Sequence, residues 1–118
     1  MKYIVLEPHK TEFPNPIFVK QDEKVIIEIE HDEEYPNWFY IKKTDDTNSG
    51  WIPEQIITKM DGNVGIVSED YSANELSVDK GSILIGFKEL NGWLWCKPEN
   101  SNEIGWVPLK NIKLSIKM

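Results

Sequence analysis

Two short stretches of the chain share one pattern. Residues 50–57 read GWIPEQII, and residues 105–112 read GWVPLKNI. Their tryptophans, Trp51 and Trp106, lie 55 positions apart, and the same offset places NWFYIK at 37–42 onto GWLWCK at 92–97 without a gap. Self-similarity at a fixed offset is typical of a chain that repeats one supersecondary unit.

The residues around these motifs favour β-structure. The chain has a single Ala, whereas Ile, Val and aromatic residues are frequent, and such a composition favours strands over helices. Apolar or alternating runs are short and end at turn signals, and no window keeps a 3.6-residue period. We therefore predict an all-β chain with two small units, residues 1–59 and 64–118. Units of this size have a marginal core, so we expect them to pack together.

The charge pattern limits the classes of partner. The formal net charge is −7, and all 13 basic residues are Lys. Nucleic acids and anionic membranes are bound by clustered basic residues, so we expect neither as a partner. A neutral or cationic ligand fits this composition better.

The second copy carries the motifs of a known family. SEDY at 68–71, ELSVDKGSI at 75–83, NGWLW at 91–95 and GWVPLKNI at 105–112 resemble the successive motifs of a Src-homology-3 domain. The first copy shares FVKQDEKVI, NWFY and GWIPEQII but has no SEDY-like opening where the family carries one. The whole chain is similar to small bacterial proteins built from two variant Src-homology-3 units. The resemblance implies two tandem SH3-like small β-barrels packed together.

The resemblance also implies a binding groove for extended, Pro-rich segments. In copy two its walls would be Trp93, Pro108 and Tyr71, with Trp106 in the same aromatic patch. Copy one retains Trp38 and Pro53. The fourth usual wall, a Tyr, is replaced by Asn111 in copy two and by Ile56 in copy one.

Acidic residues are expected at the rim of this groove. Glu69, Asp70 and Glu75 lie in the segment that corresponds to the family's acidic loop, where a cationic ligand residue would pair. The alternative is an ordinary solvated loop. The run EIEHDEE at 28–34 is denser in charge and lengthens the connection before Trp38 relative to copy two. It is either a wet strand face and loop or an attraction for a cationic partner.

Strand alternation predicts which side chains form the core. In such a barrel Ile52 and Val107 face inward, whereas Pro53 and Pro108 lie on the outer groove surface. On the preceding strands, the inward residues are Phe39, Ile41, Leu94 and Cys96, and the outward residues are Trp38, Tyr40, Trp93 and Trp95.

Catalytic and metal sites find little support. His9 and His31 have no Cys or carboxylate at a ligand spacing, so we predict no metal. Cys96 lies on the core side of its strand, where a thiol is inert. No nucleophile elbow or phosphate loop occurs. We predict a protein that is not an enzyme and needs no cofactor.

The N-terminal apolar run is too short for a secretory signal, and no segment approaches the ~20 apolar residues of a membrane span. The single cysteine forms no intrachain disulfide. We therefore expect a cytoplasmic protein.

Three functions remain open. The first is a binding module for an extended peptide or protein segment, cationic or Pro-rich. The second is a structural or regulatory subunit whose Trp surfaces are buried between the two barrels or in a permanent partner. The third is a cell-wall peptide binder, which the missing export signal disfavours.

Overall fold

The structure is a computed structural model, and it describes residues 1–11 and 15–115. This part of the chain is all-β, which confirms the predicted fold class. The strands are β1 Lys2–Val5, β2 Phe18–Val19, β3 Lys24–Ile29, β4 Trp38–Lys43, β5 Ser49–Pro53, β6 Ile57–Lys59, β7 Val64–Val67, β8 Tyr71–Ser72, β9 Ile83–Leu90, β10 Trp93–Pro98, β11 Gly105–Pro108 and β12 Ile112–Leu114. Two 3-10 turns cover Glu54–Ile56 and Leu109–Asn111. No helix in the described residues has the length and apolarity needed to cross a membrane.

The strands form three antiparallel sheets. One five-stranded sheet has the order β5-β4-β3-β7-β6, and a second has the order β11-β10-β9-β1-β12. The third is the small pair of β2 and β8. These sheets do not close into a barrel within the described residues, so the finer prediction of two SH3-like barrels stays a prediction.

The chain divides into two compact units, but not at the predicted boundaries. Residues Pro16–Ala73 form one unit, here called the continuous unit. Met1–Asn15 and Asn74–Met118 together form the other, here called the split unit. The prediction had assigned residues 1–59 to one barrel and 64–118 to the other. The structure instead inserts one unit into the chain of the other.

Strand pairing explains this division. β1 pairs with β9 and with β12, so the first strand of the chain completes the sheet that contains the second GW(I/V)P motif. In the same way β7 pairs with β3 and with β6, and completes the sheet that contains the first motif. β1 and β7 therefore hold the same place in their two sheets, although one precedes and the other follows the strands with which it pairs.

The repeated glycine and the residue after tryptophan have clear roles. A Cβ on Gly50 would lie 3.1 Å from a methyl of Ile17, and one on Gly105 would lie 2.8 Å from the carbonyl oxygen of Asn74. At Gly105 the strand passes too close to a neighbouring backbone for a side chain, and at Gly50 a side chain would have to displace Ile17 slightly. Ile52 and Val107 are completely buried, as predicted.

The repeated proline ends the strand and starts a turn. Pro53 and Pro108 have φ of −61° and −62°, and a 3-10 turn begins directly after each. This φ lies within the narrow range that the proline ring permits. Pro53 pairs with Trp38, and Pro108 with Trp93. Both prolines are buried beside the paired indoles rather than exposed on an outer surface, although Pro108 still lines a cleft, as predicted.

The core follows the predicted alternation. The four inward side chains of β4 and β10 are each at most 6% exposed: Phe39, Ile41, Leu94 and Cys96. The core of the split unit is built from both of its chain segments, because Val5 of β1 packs with seven residues from beyond position 74: Leu76, Val78, Leu84, Leu94, Cys96, Val107 and Ile112. A hydrophobic cluster that spans both segments ties them into one unit.

Cys96 is a buried structural thiol. It has no exposed surface, and its Sγ lies 3.6 Å from the carbonyl oxygen of Gly105. Burial raises the pKa of this thiol from its ordinary 9.0 to about 12, because the thiolate would lose its hydration. The predicted inert role of Cys96 agrees with this environment.

A fragment experiment tests the shared sheet. Residues 64–118 alone lack β1, so β9 and β12 lose their common partner and the core loses Val5. We expect this fragment to show the circular dichroism spectrum of an unfolded chain. Addition of a peptide with residues 1–11 should restore the β signal. Residues 16–73, which contain every strand of their own sheets, should fold as one piece. A well-dispersed NMR spectrum of 64–118 alone would contradict the division.

The Cys96 environment makes a second prediction. At pH 8 a thiol reagent should label the native protein at least about 100-fold more slowly than the guanidinium-unfolded chain, because the buried group stays protonated and shielded. A raised pKa also lowers stability at high pH. The unfolded thiol loses its proton near pH 9, whereas the folded one keeps it, so the free energy of unfolding should fall as pH rises from 9.0 towards about 12. Cys96→Ala should remove this part of the pH dependence.

Candidate functional site

The predicted site residues are divided between the two units. Trp93, Trp106 and Pro108 belong to the split unit. The other five belong to the continuous unit: Trp38, Pro53, Glu69, Asp70 and Tyr71. Tyr71 therefore belongs to one unit and Trp93 to the other.

Two of the predicted aromatic residues are largely buried. Trp106 is 4% exposed and Tyr71 is 7% exposed. The Trp106 ring lies 5.0 Å from that of Trp95, and the Nζ atom of Lys88 lies 6.0 Å from the centre of the Trp106 ring. The prediction of an open patch that includes Trp106 does not match this covered position.

A cleft does open at Trp93. Its volume is about 610 Å³, and its apolar lining includes Trp93, Pro108 and Leu109. Polar side chains complete the wall, namely Glu7, His9, Lys110 and Asn111. We call this the Trp93 cleft. Its volume lies within the range of about 300–1,000 Å³ that is typical of ligand pockets.

His9 is held in this cleft by a carboxylate. Its Nε2 lies 2.8 Å from Oε1 of Glu75, and both side chains are mostly buried. The imidazole meets the Trp93 indole edge-on, with ring centres 5.8 Å apart. Backbone hydrogen bonds in both directions between His9 and Val78 fix the segment that carries the ring. A partner on one nitrogen determines which ring nitrogen carries the proton.

Asn111 fastens the N-terminal segment to the closing turn. Its amide nitrogen Nδ2 donates to the carbonyl oxygens of Glu7 and Pro8, at 3.2 and 3.1 Å. Its backbone carbonyl accepts hydrogen bonds from the amides of Leu6 and Glu7. Asn111 thus replaces the expected Tyr wall by a tether that holds the strand segment carrying His9.

The same positions recur in the continuous unit. IVLEPH at 4–9 in the split unit corresponds to IVSEDY at 66–71, so Tyr71 takes the place of His9. The pairing confirms this, since His9 pairs with Val78 and Tyr71 with Val19. Trp38 and Pro53 pair as Trp93 and Pro108 do. The rim residues differ in setting: Glu69 is exposed, and Asp70 accepts a hydrogen bond from the amide of Gln21 at 2.8 Å.

A second aromatic surface lies on the continuous unit. Tyr40 pairs with Ile29 on one side and with Trp51 on the other, so these three side chains form a row across β3, β4 and β5. Tyr35 lies against Trp51 with ring centres 4.6 Å apart. Ile29 and Tyr35 are 40% and 44% exposed. We call this surface, made of Ile29, Tyr35, Tyr40 and Trp51, the Trp51 patch.

The lengthened loop of copy one positions Tyr35. Asp32 Oδ1 accepts hydrogen bonds from the amides of Glu34 and Tyr35, at 2.8 and 3.2 Å. The Tyr35 carbonyl in turn accepts from the amide of Trp38. In the split unit the corresponding connection is the two-residue turn Asn91-Gly92, in which both residues have positive φ. The insertion therefore adds an aromatic side chain as well as charge.

The described residues contain no cluster of His, Cys, Asp and Glu that could hold a metal ion. The sequence reasoning missed His9, Tyr35 and the Trp51 patch. The similarity of IVLEPH to IVSEDY was the available signal for His9, whereas Tyr35 has no counterpart in the repeat.

Comparisons with known proteins give no match for this chain. No protein-family model matches its sequence, and no curated protein or solved structure shows a significant match. Its function is therefore inferred from the Trp93 cleft and the Trp51 patch.

Proposed function

We propose that this protein is a non-catalytic binding module built from two SH3-like barrels, and that it holds an extended peptide or protein segment in the Trp93 cleft. The observation that supports this proposal is the cleft itself, about 610 Å³ in volume and walled by Trp93, Pro108 and Leu109. Two of the residues named from the sequence, Trp93 and Pro108, lie in its lining.

The chemistry of the lining favours an extended, Pro-bearing segment. An indole offers a flat apolar wall, and a polyproline-II segment is already extended, so binding orders little additional chain. The His9 ring, held by Glu75, meets the indole edge-on and so fixes the shape of this wall. Lys110 and Glu7 lie at the same cleft with opposite charges, so this cleft by itself has no strong preference for a charged ligand.

One observation favours the alternative of a structural subunit. Trp106 and Tyr71, both proposed from the sequence as binding residues, are at least nine-tenths buried. Some of the aromatic residues therefore stabilise the fold rather than contact a ligand. The two roles differ in what the loss of each side chain does to stability and to binding.

A binding test separates the two roles at Trp93. We expect Trp93→Ala to lower the affinity for a blocked decaproline peptide at least tenfold, because the cleft loses its flat wall. The free energy of unfolding should fall by less than the ~3–5 kcal/mol that a Trp→Ala change removes from a packed core. Peptide binding is measured by fluorescence anisotropy, and stability by denaturant titration.

Trp106→Phe is the matched control, because Trp106 lies in the same unit but is buried outside the cleft. It should lower stability and leave decaproline affinity within about twofold of wild type. Equal decaproline affinity of the wild type and Trp93→Ala, together with a core-sized loss of stability, would support the structural subunit instead.

A further inference from the structure

The two units differ sharply in charge. The continuous unit, Pro16–Ala73, holds thirteen Asp and Glu residues and five Lys residues, a formal net charge of −8. The split unit holds the remaining seven acidic residues and eight Lys residues, a formal net charge of +1. The acidic character of the protein thus belongs entirely to the unit that carries the Trp51 patch.

The repeat supplies an internal comparison for this patch. The row Ile29–Tyr40–Trp51 in the continuous unit corresponds to the row Lys88–Trp95–Trp106 in the split unit. Both rows follow the same register shift of the pairing, so the correspondence holds residue by residue. Position 88 is a lysine whose ammonium lies 6.0 Å from the centre of the Trp106 ring, whereas position 29 is an isoleucine.

The split unit therefore supplies its own cation to the tryptophan of the motif. A cation over an indole is attracted by the negative face of the ring. In the continuous unit no lysine occupies the equivalent position, and the row ends in the exposed Ile29. Trp51 is half-buried, with the Tyr35 ring tilted against it and the Tyr40 ring edge-on to it.

The nearby lysines of the continuous unit have acidic partners. Lys42 Nζ lies 3.0 Å from Asp46, and Lys59 Nζ lies 2.6 Å from Glu30. Lys43 Nζ contacts Glu23 at 3.3 Å. These pairs leave most of the acidic residues uncompensated, including the loop residues Asp32, Glu33 and Glu34 beside Tyr35. The rim of the Trp51 patch is therefore negative while its centre is apolar and aromatic.

We propose that the Trp51 patch is a second binding site, which receives a Lys or Arg side chain from a partner protein segment with apolar neighbours. The partner's cation takes the place at Trp51 that Lys88 takes at Trp106, and its apolar neighbours cover Ile29 and Tyr35. The negative loop attracts the segment and speeds its association. This site is separate from the Trp93 cleft and does not rest on the function proposed for that cleft.

The test uses two blocked ten-residue peptides. The first repeats Gly-Val-Lys three times before a final Gly, and the second has Gln in place of each Lys. Titration of the ¹⁵N-labelled full chain follows the five tryptophan indole N–H signals. We expect the Lys peptide to shift the Trp51 signal, to bind about tenfold more tightly than the Gln peptide, and to weaken as salt rises, since salt screens an exposed charge interaction.

Substitutions at the two equivalent positions sharpen the test. Ile29→Lys places the split unit's cation beside Trp51 and should lower the Lys-peptide affinity about tenfold. Ile29→Gln, which adds no charge, should lower it less. Lys88→Ile, in the other unit, should leave the Trp51 titration unchanged. Ile29 is exposed, so these variants should keep the wild-type circular dichroism spectrum.

Three results would overturn the proposal. These are equal affinity for the Lys and Gln peptides, equal loss from Ile29→Lys and Ile29→Gln, and an absence of any Trp51 shift at millimolar Lys peptide. Shifts at Trp93 without shifts at Trp51 would remove the second site while leaving the Trp93 cleft in place. Decaproline binding is measured separately, so its failure removes the proposed cleft function alone.

Discussion

The hydrogen bonding of β1 between β9 and β12 is the constraint on which the split unit depends. An open place between two strands would leave rows of unpaired backbone groups, and buried groups of this kind are costly. The register puts Tyr3 opposite Leu84 on one side and Leu114 on the other, and Val5 enters the core. The chain must therefore build the second sheet from its two ends, with a complete unit inserted between them.

This arrangement explains where sequence reasoning succeeded. Gly-Trp-Ile/Val-Pro encodes a local structure, in which a close backbone approach, a core residue and a proline-started turn follow one another. Alternation then assigned the inward faces of β4 and β10 correctly, because side-chain direction along a strand follows directly from the period of two. The fold class and the buried state of Cys96 were predictable for the same reason.

Sequence reasoning failed where the information was not local. β1 (KYIV) and β7 (VGIV) both end in Ile-Val, and neither sequence indicates which copy the strand joins. The natural prediction assigns each strand to the copy that directly follows it in the chain. This assignment placed Tyr71 beside Trp93. Within the split unit the His9 ring lies against Trp93, and the pairing of His9 with Val78 joins residues far apart in the chain. The orientation of Tyr35 was equally hidden, because it depends on hydrogen bonds to Asp32 within an insertion without a counterpart.

β1 joins the sheet of the second motif, and β7 joins the sheet of the first. This arrangement also explains how the two copies could diverge in chemistry. The Trp93 cleft combines an opening segment with a motif from a distant part of the chain, whereas the Trp51 patch is built from residues 29–51 of the first copy alone. A His in the first opening therefore alters the cleft of the second motif, while the acidic insertion of the first copy alters only its own patch.

Net charge of one sign destabilises a compact unit through self-repulsion. The continuous unit relieves part of this repulsion with ion pairs at Lys42, Lys43 and Lys59, yet the loop beside Tyr35 keeps an excess of carboxylates. Such an excess beside the Trp51 patch is costly for stability alone, and it suits the cationic segment proposed to cover the patch.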